Sequence, residues 1–274
     1  MKKVILDSDI GDDICDALAL IFALNSPELD IKAIISNNGH EKERAKIIHK
    51  IVSASGKNIP IFQGIKGGKG ILTNQKAFIK NYKHAPKKLK DNLSYFKKLA
   101  KEEITYISLG TLTNIDYLLK RIPKMKKSKF YVMGGSINKD YHGKHKKIAE
   151  WNLHADPKPA QNVLKEKLKL TLVPLDATWD LVLSRKDNKI IKNNSSLVEL
   201  YHLWKKSHKR LPIRYDSFTI ALAIKPSLAK YKKYKISVDN KGHTLLDNKG
   251  NSIKTAIKGD KKRFHKLFMR RLNR

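Results

Sequence analysis

VILDSDIGDDICDALALIFAL, residues 4–24, holds five aspartates within ten positions, between two apolar runs. VILDSD (4–9) is a short apolar run of the kind that forms a strand buried in a parallel sheet. The stretch from about Ile14 to Leu24 reads as a helix that Asn25-Ser26-Pro27 ends. Strand alternation points Asp7 and Asp9 to one side, and Asp16 follows Asp13 by about one helical turn. An acid at a helix N-terminus gains about 0.3–1 kcal/mol from the helix dipole. Capping of that kind accounts for one or two of the five. It does not account for a strand end and a helix start that are both acidic and face one crevice. Like charges held together raise each other's pKa unless a cation neutralises them. A hard divalent cation with oxygen ligands, Ca²⁺ or Mg²⁺, is the economical solution.

The rest of the chain repeats the strand–helix order. DIKAIIS (30–36), IPIFQG (59–64), ITYISLG (104–110), KFYVMGG (129–135) and LKLTLVPLD (168–176) read as strands. ERAKIIHKIVSASG (43–56), TLTNIDYLLKRI (111–122), DPKPAQNVLKEK (156–167) and a segment starting at DSFTIALAIKP (216–226) read as helices. Residues 65–92 form a long Gly- and Lys-rich excursion, and 136–149 a polar loop. The alternation predicts an α/β fold, a Rossmann-like open and mostly parallel central sheet flanked by helices. No linker-like stretch or internal repeat divides it, so residues 1–274 are read as one domain. Ligands of such sheets bind outside the carboxyl ends of the strands. DSDIGDD, SNNGH, GTLTN and GGS each fall there, behind separate strands.

Composition narrows the partners. No apolar run approaches the ~18 residues of a membrane span; the longest, 17–24, follows a cluster of acids and does not read as a signal peptide. One cysteine, Cys15, excludes an intramolecular disulfide framework and points to a reducing, cytoplasmic setting. Lys plus Arg number 58 against 25 acids, a net charge of +33. The basic residues are mostly Lys and spread along the chain, denser at 80–101 and 258–274. Zinc-finger spacing, ribonucleoprotein aromatics and a clear helix-turn-helix are lacking, so the expectation is incidental polyanion binding.

The opening resembles the N-terminus of the inosine-uridine preferring nucleoside hydrolase family. Its signature is an apolar strand followed by D-x-D-P-G-x-D-D-A, or D-T-D-I-G-T-D-V-D-D-A in a longer branch, and DSDIGDDICDA (7–17) is similar to the longer form. ISLGTLTNID (107–116), YVMGGS (131–136), AEWNLHADPKPA (149–160), VPLDATWDL (173–181), RYDSFTIALAIKP (214–226) and GDKKRFHKLFMRRL (259–272) resemble further family segments in the same order. Haloacid-dehalogenase phosphatases also open on a strand and D-x-D. Their pattern continues to Thr or Val where this chain has Gly11, and has no place for Asp12, Asp13 and Asp16.

The resemblance implies a Ca²⁺-dependent N-ribosyl hydrolase that cleaves a ribonucleoside to base plus ribose, in purine or pyrimidine salvage. Asp9 matches the family's catalytic base, acting on a metal-bound water and touching the metal. Asp16 and Asp216 match further calcium ligands, and Leu109 sits where a backbone carbonyl coordinates the ion. Met133, Glu150 and Asn152 match the ribose-binding group, and His40 falls near a small polar contact from the second strand's loop. A homodimer or homotetramer is the assembly that the family implies. Three positions depart from the pattern. Cys15 replaces the first acid of the D-D pair, which in the family helps hold the ribose hydroxyls; either Asp13 substitutes or sugar binding is altered. Tyr215 replaces a histidine that is a candidate leaving-group acid, and could stack on the base or donate its hydroxyl. Lys144 lies about where a sugar-contacting asparagine is expected. The alternatives are a ribosidase-fold protein with an atypical substrate or lost activity, and a basic nucleic-acid-binding protein.

Overall fold

The computed structural model describes residues 1–273. The opening strand, β1 (Lys2–Ser8), lies near the middle of one ten-stranded sheet. On one side of it stand β2 (Leu29–Ser36), β3 (Ile61–Gln63) and the two-residue β4 (Lys87–Lys88). On the other stand β5 (Ile104–Ser108), β6 (Lys129–Met133) and β7 (Lys169–Val173). All these pairings are parallel. Beyond β7 the sheet continues as β10 (Asn251–Gly259), parallel to β7, then antiparallel β8 (Ala229–Val238) and β9 (Thr244–Leu246). Strand order reverses at β1, where β2 is built to one side and β5 to the other. In an open α/β sheet that reversal opens a crevice at the strands' carboxyl ends.

Helices cover both faces. These are α1 (Cys15–Leu24), α2 (Glu41–Ala54), α3 (Leu93–Leu99), α4 (Thr113–Arg121), α5 (Trp151–Ala155), α6 (Pro157–Lys165), α7 (Leu175–Thr178), α8 (Ser195–Ser207), α9 (Tyr215–Ile224) and α10 (Lys261–Leu272). Alternation along β1 divides the interior: Val4 and Leu6 enter one apolar core with α1, α2, α9 and α10, and Ile5 enters the other with α3, α4 and α6. Every residue of α1 is buried, because α9 and α10 pack over it. That explains a helix apolar on all sides. No helix of the described residues is long and apolar enough to cross a membrane.

Several elements differ from the sequence expectation. The helix expected over 156–167 is α6, preceded by a separate turn of helix, α5, with Asp156 between them. The 65–92 excursion contains a 3₁₀ turn at Asn74–Ile79 and ends in β4. Helices α3 and α8 and strands β8–β10 have no counterpart in that expectation. AKYKKYKISV (229–238) carries lysine on both faces for most of its length, so period-two alternation is hidden, and only Ile236 and Val238 are buried.

The excursion is structural. Thr73 donates its N–H to the Gly11 carbonyl at 3.2 Å, and Gln75 Nε2 donates to the Asp12 carbonyl at 2.7 Å. Both contacts brace the acidic turn after β1. Gly11 makes this approach with φ +119°, a region closed to most side chains, and a Cβ there would lie 2.5 Å from Leu72 Cδ1. Gly11→Ala is expected to lower stability by about 1–3 kcal/mol, read as a lower urea midpoint at unchanged m-value.

Candidate active site

The acidic stretch does not act as one unit. β1 ends at Ser8, so alternation does not carry through to Asp9, and Asp7 and Asp9 part company. Asp7 turns into the protein. It accepts hydrogen bonds from Tyr106 Oη (2.6 Å), Asn37 Nδ2 (2.8 Å) and Asn114 Nδ2 (3.1 Å). Burial still pushes its pKa up to about 7. Asp7 thus ties β1 to the loops after β2 and β5, and it does not line the crevice.

Asp9, Asp16 and Asp216 do. They come from the turn after β1, the first turn of α1 and the first turn of α9, and all are buried. Asn38 Nδ2 donates to Asp9 Oδ2 at 2.7 Å, and Ser8 Oγ donates to Asp16 Oδ1 at 2.7 Å. Arg44 lies close, but its guanidinium donates to the carbonyls of Asp9, Ile10 and Ile71 and not to a carboxylate. Burial raises all three carboxyl pKa values. The Asp9 charge raises those of Asp16 and Asp216 further.

Cys15 stands among these acids. Its Sγ and carboxylate oxygens of Asp16 and Asp216 lie within 4.8 Å of one another. The thiol is 3.7 Å from Asp16 Oδ2. Burial, then the surrounding acids, hold its pKa well above the ordinary thiol value, so it stays a neutral, weak donor. Besides Asn38, Ser8, the Cys15 thiol and the backbone N–H of Asp9 itself, few donors serve these carboxylates. Three desolvated carboxylates with few donors and no direct ion pair, eased only by the nearby charge of Arg44 on Asp9 and Asp16, fit a hard divalent cation with oxygen ligands. Asp16 and Asp216 stand close enough to share such an ion, and Asp9 and Leu109 line the same cavity beside them.

These groups line a cavity of about 650 Å³. Of the residues singled out from the sequence, Asp9, Asp13, Cys15, Asp16, Leu109, Met133, Glu150, Asn152, Tyr215 and Asp216 all face it. Asn152 Nδ2 donates to the Leu109 carbonyl at 2.9 Å and to the Met133 carbonyl at 3.2 Å, which joins the ends of β5 and β6. Glu150 caps α5, accepting from the Asn152 and Gly135 backbone N–H groups at 3.1 and 3.0 Å. Burial pushes its pKa up to about 7 despite these donors. Asp13 accepts from the Cys15 N–H at 2.9 Å and forms an ion pair with Arg210.

His40 does not join them. It is exposed, precedes α2 with a left-handed backbone (φ 53°), and does not line the cavity. Asn38, from the same loop and also left-handed at φ 60°, makes the contact with Asp9 instead. Lys144 is exposed and outside the cavity.

Sequence reasoning missed Asn38, Arg44, Tyr141, Trp151 and Arg210. Arg44 had a signal: it shares the apolar face of α2 with Ile47, Ile48 and Ile51, where a charge must have partners. Tyr141 lies in the poorly patterned 136–149 loop. Its ring meets Tyr215 edge-to-face at 6.2 Å, and its Oη accepts from the Trp151 N–H at 2.8 Å.

Comparison with known proteins bears on this constellation. Residues 4–266 match the sequence profile of the family described as inosine-uridine preferring nucleoside hydrolase. A pyrimidine-specific ribonucleoside hydrolase, RihA, of Shigella boydii is 27% identical across 98% of this chain and 97% of its own. RihA of an Escherichia coli strain is 28% identical across 87% and 85%. Among solved structures, a plant nucleoside hydrolase (PpNRh1) superposes with a TM-score of 0.82 at 24% identity, over 99% of both chains. A purine-preferring ribonucleoside hydrolase from Gardnerella vaginalis does so at 0.79 and 22%, over 99% and 98%. The chain belongs to the inosine-uridine preferring nucleoside hydrolase family and is an N-ribosyl hydrolase.

Proposed function

We propose that the chain hydrolyses the N-glycosidic bond of ribonucleosides to free base and ribose, with Ca²⁺ held by Asp9, Asp16, Asp216 and the Leu109 carbonyl. The observation that carries this reading is the set of three buried, donor-poor carboxylates on one side of a cavity of about 650 Å³. When bound, the cation neutralises those carboxylates and acidifies a water.

The chain's own groups do the rest. Asn38 holds Oδ2 of Asp9, which leaves Oδ1 to take the proton of the attacking water as general base. The breaking bond puts positive charge on the ribose, and the carboxylates on that side of the cavity stabilise it. Asn152, Met133 and Glu150 line the ribose side. Glu150 is fixed by backbone donors, so it meets a sugar hydroxyl without reorganising. Asp13 stands in for the acid absent at Cys15, with Arg210 holding its other oxygen. Tyr215 faces the departing base. Burial raises its pKa, so the phenol stays protonated and able to donate.

Two measurements test this. A panel of ribonucleosides, assayed with calcium and with chelator, is expected to show calcium-dependent base release; none from any member sinks the proposal. Tyr215→Phe is expected to lower kcat on the best nucleoside about 10²-fold. The same variant is expected to leave hydrolysis of a 4-nitrophenyl riboside nearly unchanged, because that leaving group needs no proton. Equal losses on both substrates would assign Tyr215 to packing alone.

A further inference from the structure

Outside the cavity, one face of the sheet across β6, β7, β10 and β8 presents a different surface. Lys129 opens β6, Lys169 opens β7, and the two are direct cross-strand neighbours. One step along, Tyr131, Thr171, Lys254 and Lys233 form a row across four adjacent strands, β6, β7, β10 and β8. Period-two alternation puts both rows on one face, together with Tyr231 and Lys235 of β8. The five lysines are exposed, and Tyr131 and Tyr231 are half-buried. Lys254 Nζ lies 4.1 Å from the centre of the Tyr231 ring. With strands ~4.8 Å apart the four-strand row is about 15 Å long. A recess of about 450 Å³ lined by Thr105, Lys129 and Tyr131 adjoins it.

Like charges directly opposite each other destabilise a sheet. Here two such pairs, 129 with 169 and 233 with 254, sit in register on one face. Lys129 has Glu103 beside it. Among the described residues Lys169, Lys233, Lys235 and Lys254 have no acid within 4.0 Å, whereas Lys3, Lys32, Lys120, Lys126 and Lys261 each have one.

We propose that this face binds single-stranded nucleic acid, with phosphates along the lysine rows and bases against Tyr131 and Tyr231. Half-buried tyrosine rings set among exposed lysines offer stacking to unpaired bases, which a duplex cannot use. A membrane-binding face needs exposed apolar side chains to insert. The large exposed apolar residues among those described are Met1, Ile71, Val182 and Leu246, and only Met1 borders this face. The assignment is independent of the hydrolase mechanism.

The test is fluorescence anisotropy of a labelled 12-nucleotide oligouridylate at about 0.1 M salt. Lys233→Glu/Lys254→Glu is expected to raise Kd at least tenfold. Lys90→Glu/Lys98→Glu, exposed lysines behind the opposite end of the sheet, applies the same charge change and is expected to raise it less than twofold. Four lysine–phosphate contacts predict a slope of log K on log salt near −3. Both variants are expected to keep the native unfolding temperature and nucleoside hydrolysis. The proposal is overturned by no binding to the native protein, by equal weakening in the two variants, or by a duplex of equal length binding as tightly. It is also overturned if the first variant loses binding to phosphatidylserine vesicles while oligonucleotide binding is unchanged.

Discussion

Asp9→Asn is expected to lower kcat by about 10³-fold, inside the 10²–10⁴ range for loss of a general base, while the fold and most of the nucleoside affinity remain. The substitution keeps the shape. Asn at this position still offers an oxygen to Asn38 Nδ2, the contact now made by Asp9 Oδ2 at 2.7 Å. The Arg44 guanidinium grips the backbone carbonyls of residues 9 and 10, which the substitution does not touch. What disappears is basicity and one of three clustered negative charges. Loss of basicity predicts a lower kcat at little change in KM. Loss of charge alone predicts weaker cation binding that added calcium restores. Steady-state kinetics at saturating calcium separates the two. A variant that keeps more than a tenth of the native kcat removes Asp9 from the role of base.

Much of this site is legible in the sequence, and the reason is local. Asp9, Asp16, Leu109 and Asp216 each sit at an element boundary that apolar periodicity marks clearly, and parallel-sheet topology brings strand ends together. The failures are where geometry departs from periodicity. Alternation places Asp7 and Asp9 on one face, but β1 stops at Ser8 and the turn rotates Asp9 away from Asp7. His40 and Asn38 both have left-handed backbones, and which of the two side chains swings inward is a property of the loop that no spacing reveals. Tyr141 and Arg210 reach the cavity from loops with no pattern of their own. Strands β8 and β10 are hidden by their lysines: the residues that obscure the alternation are those that make the basic face.

Without calcium the protein is expected to lose stability as pH rises, and with saturating calcium to show that slope no longer. Burial raises the carboxyl pKa values of Asp9, Asp16 and Asp216 above their unfolded values, and the Asp9 charge adds to this for the other two. Without a cation the folded state therefore binds more protons than the unfolded chain. Its contribution to stability is complete below about pH 4, the ordinary Asp range, and is lost as pH rises through the raised values. Calcium held as proposed would bind the ionised carboxylates and displace those protons, so its affinity is expected to grow over the same interval. The gap in unfolding temperature between calcium and chelator is thus expected to widen as pH rises above the ordinary Asp range. At a calcium concentration of 100 Kd the added stability is about 2.7 kcal/mol. Asp216→Asn separates repulsion from coordination. With one charge fewer in the cluster, the cation-free variant is expected to be more stable than the cation-free native protein at about pH 8. With one ligand charge fewer, its calcium Kd is expected to rise at least about tenfold, or ~1.4 kcal/mol. A native gap that is flat with pH, or a variant that keeps the full calcium shift, removes these carboxylates as the cation's ligands.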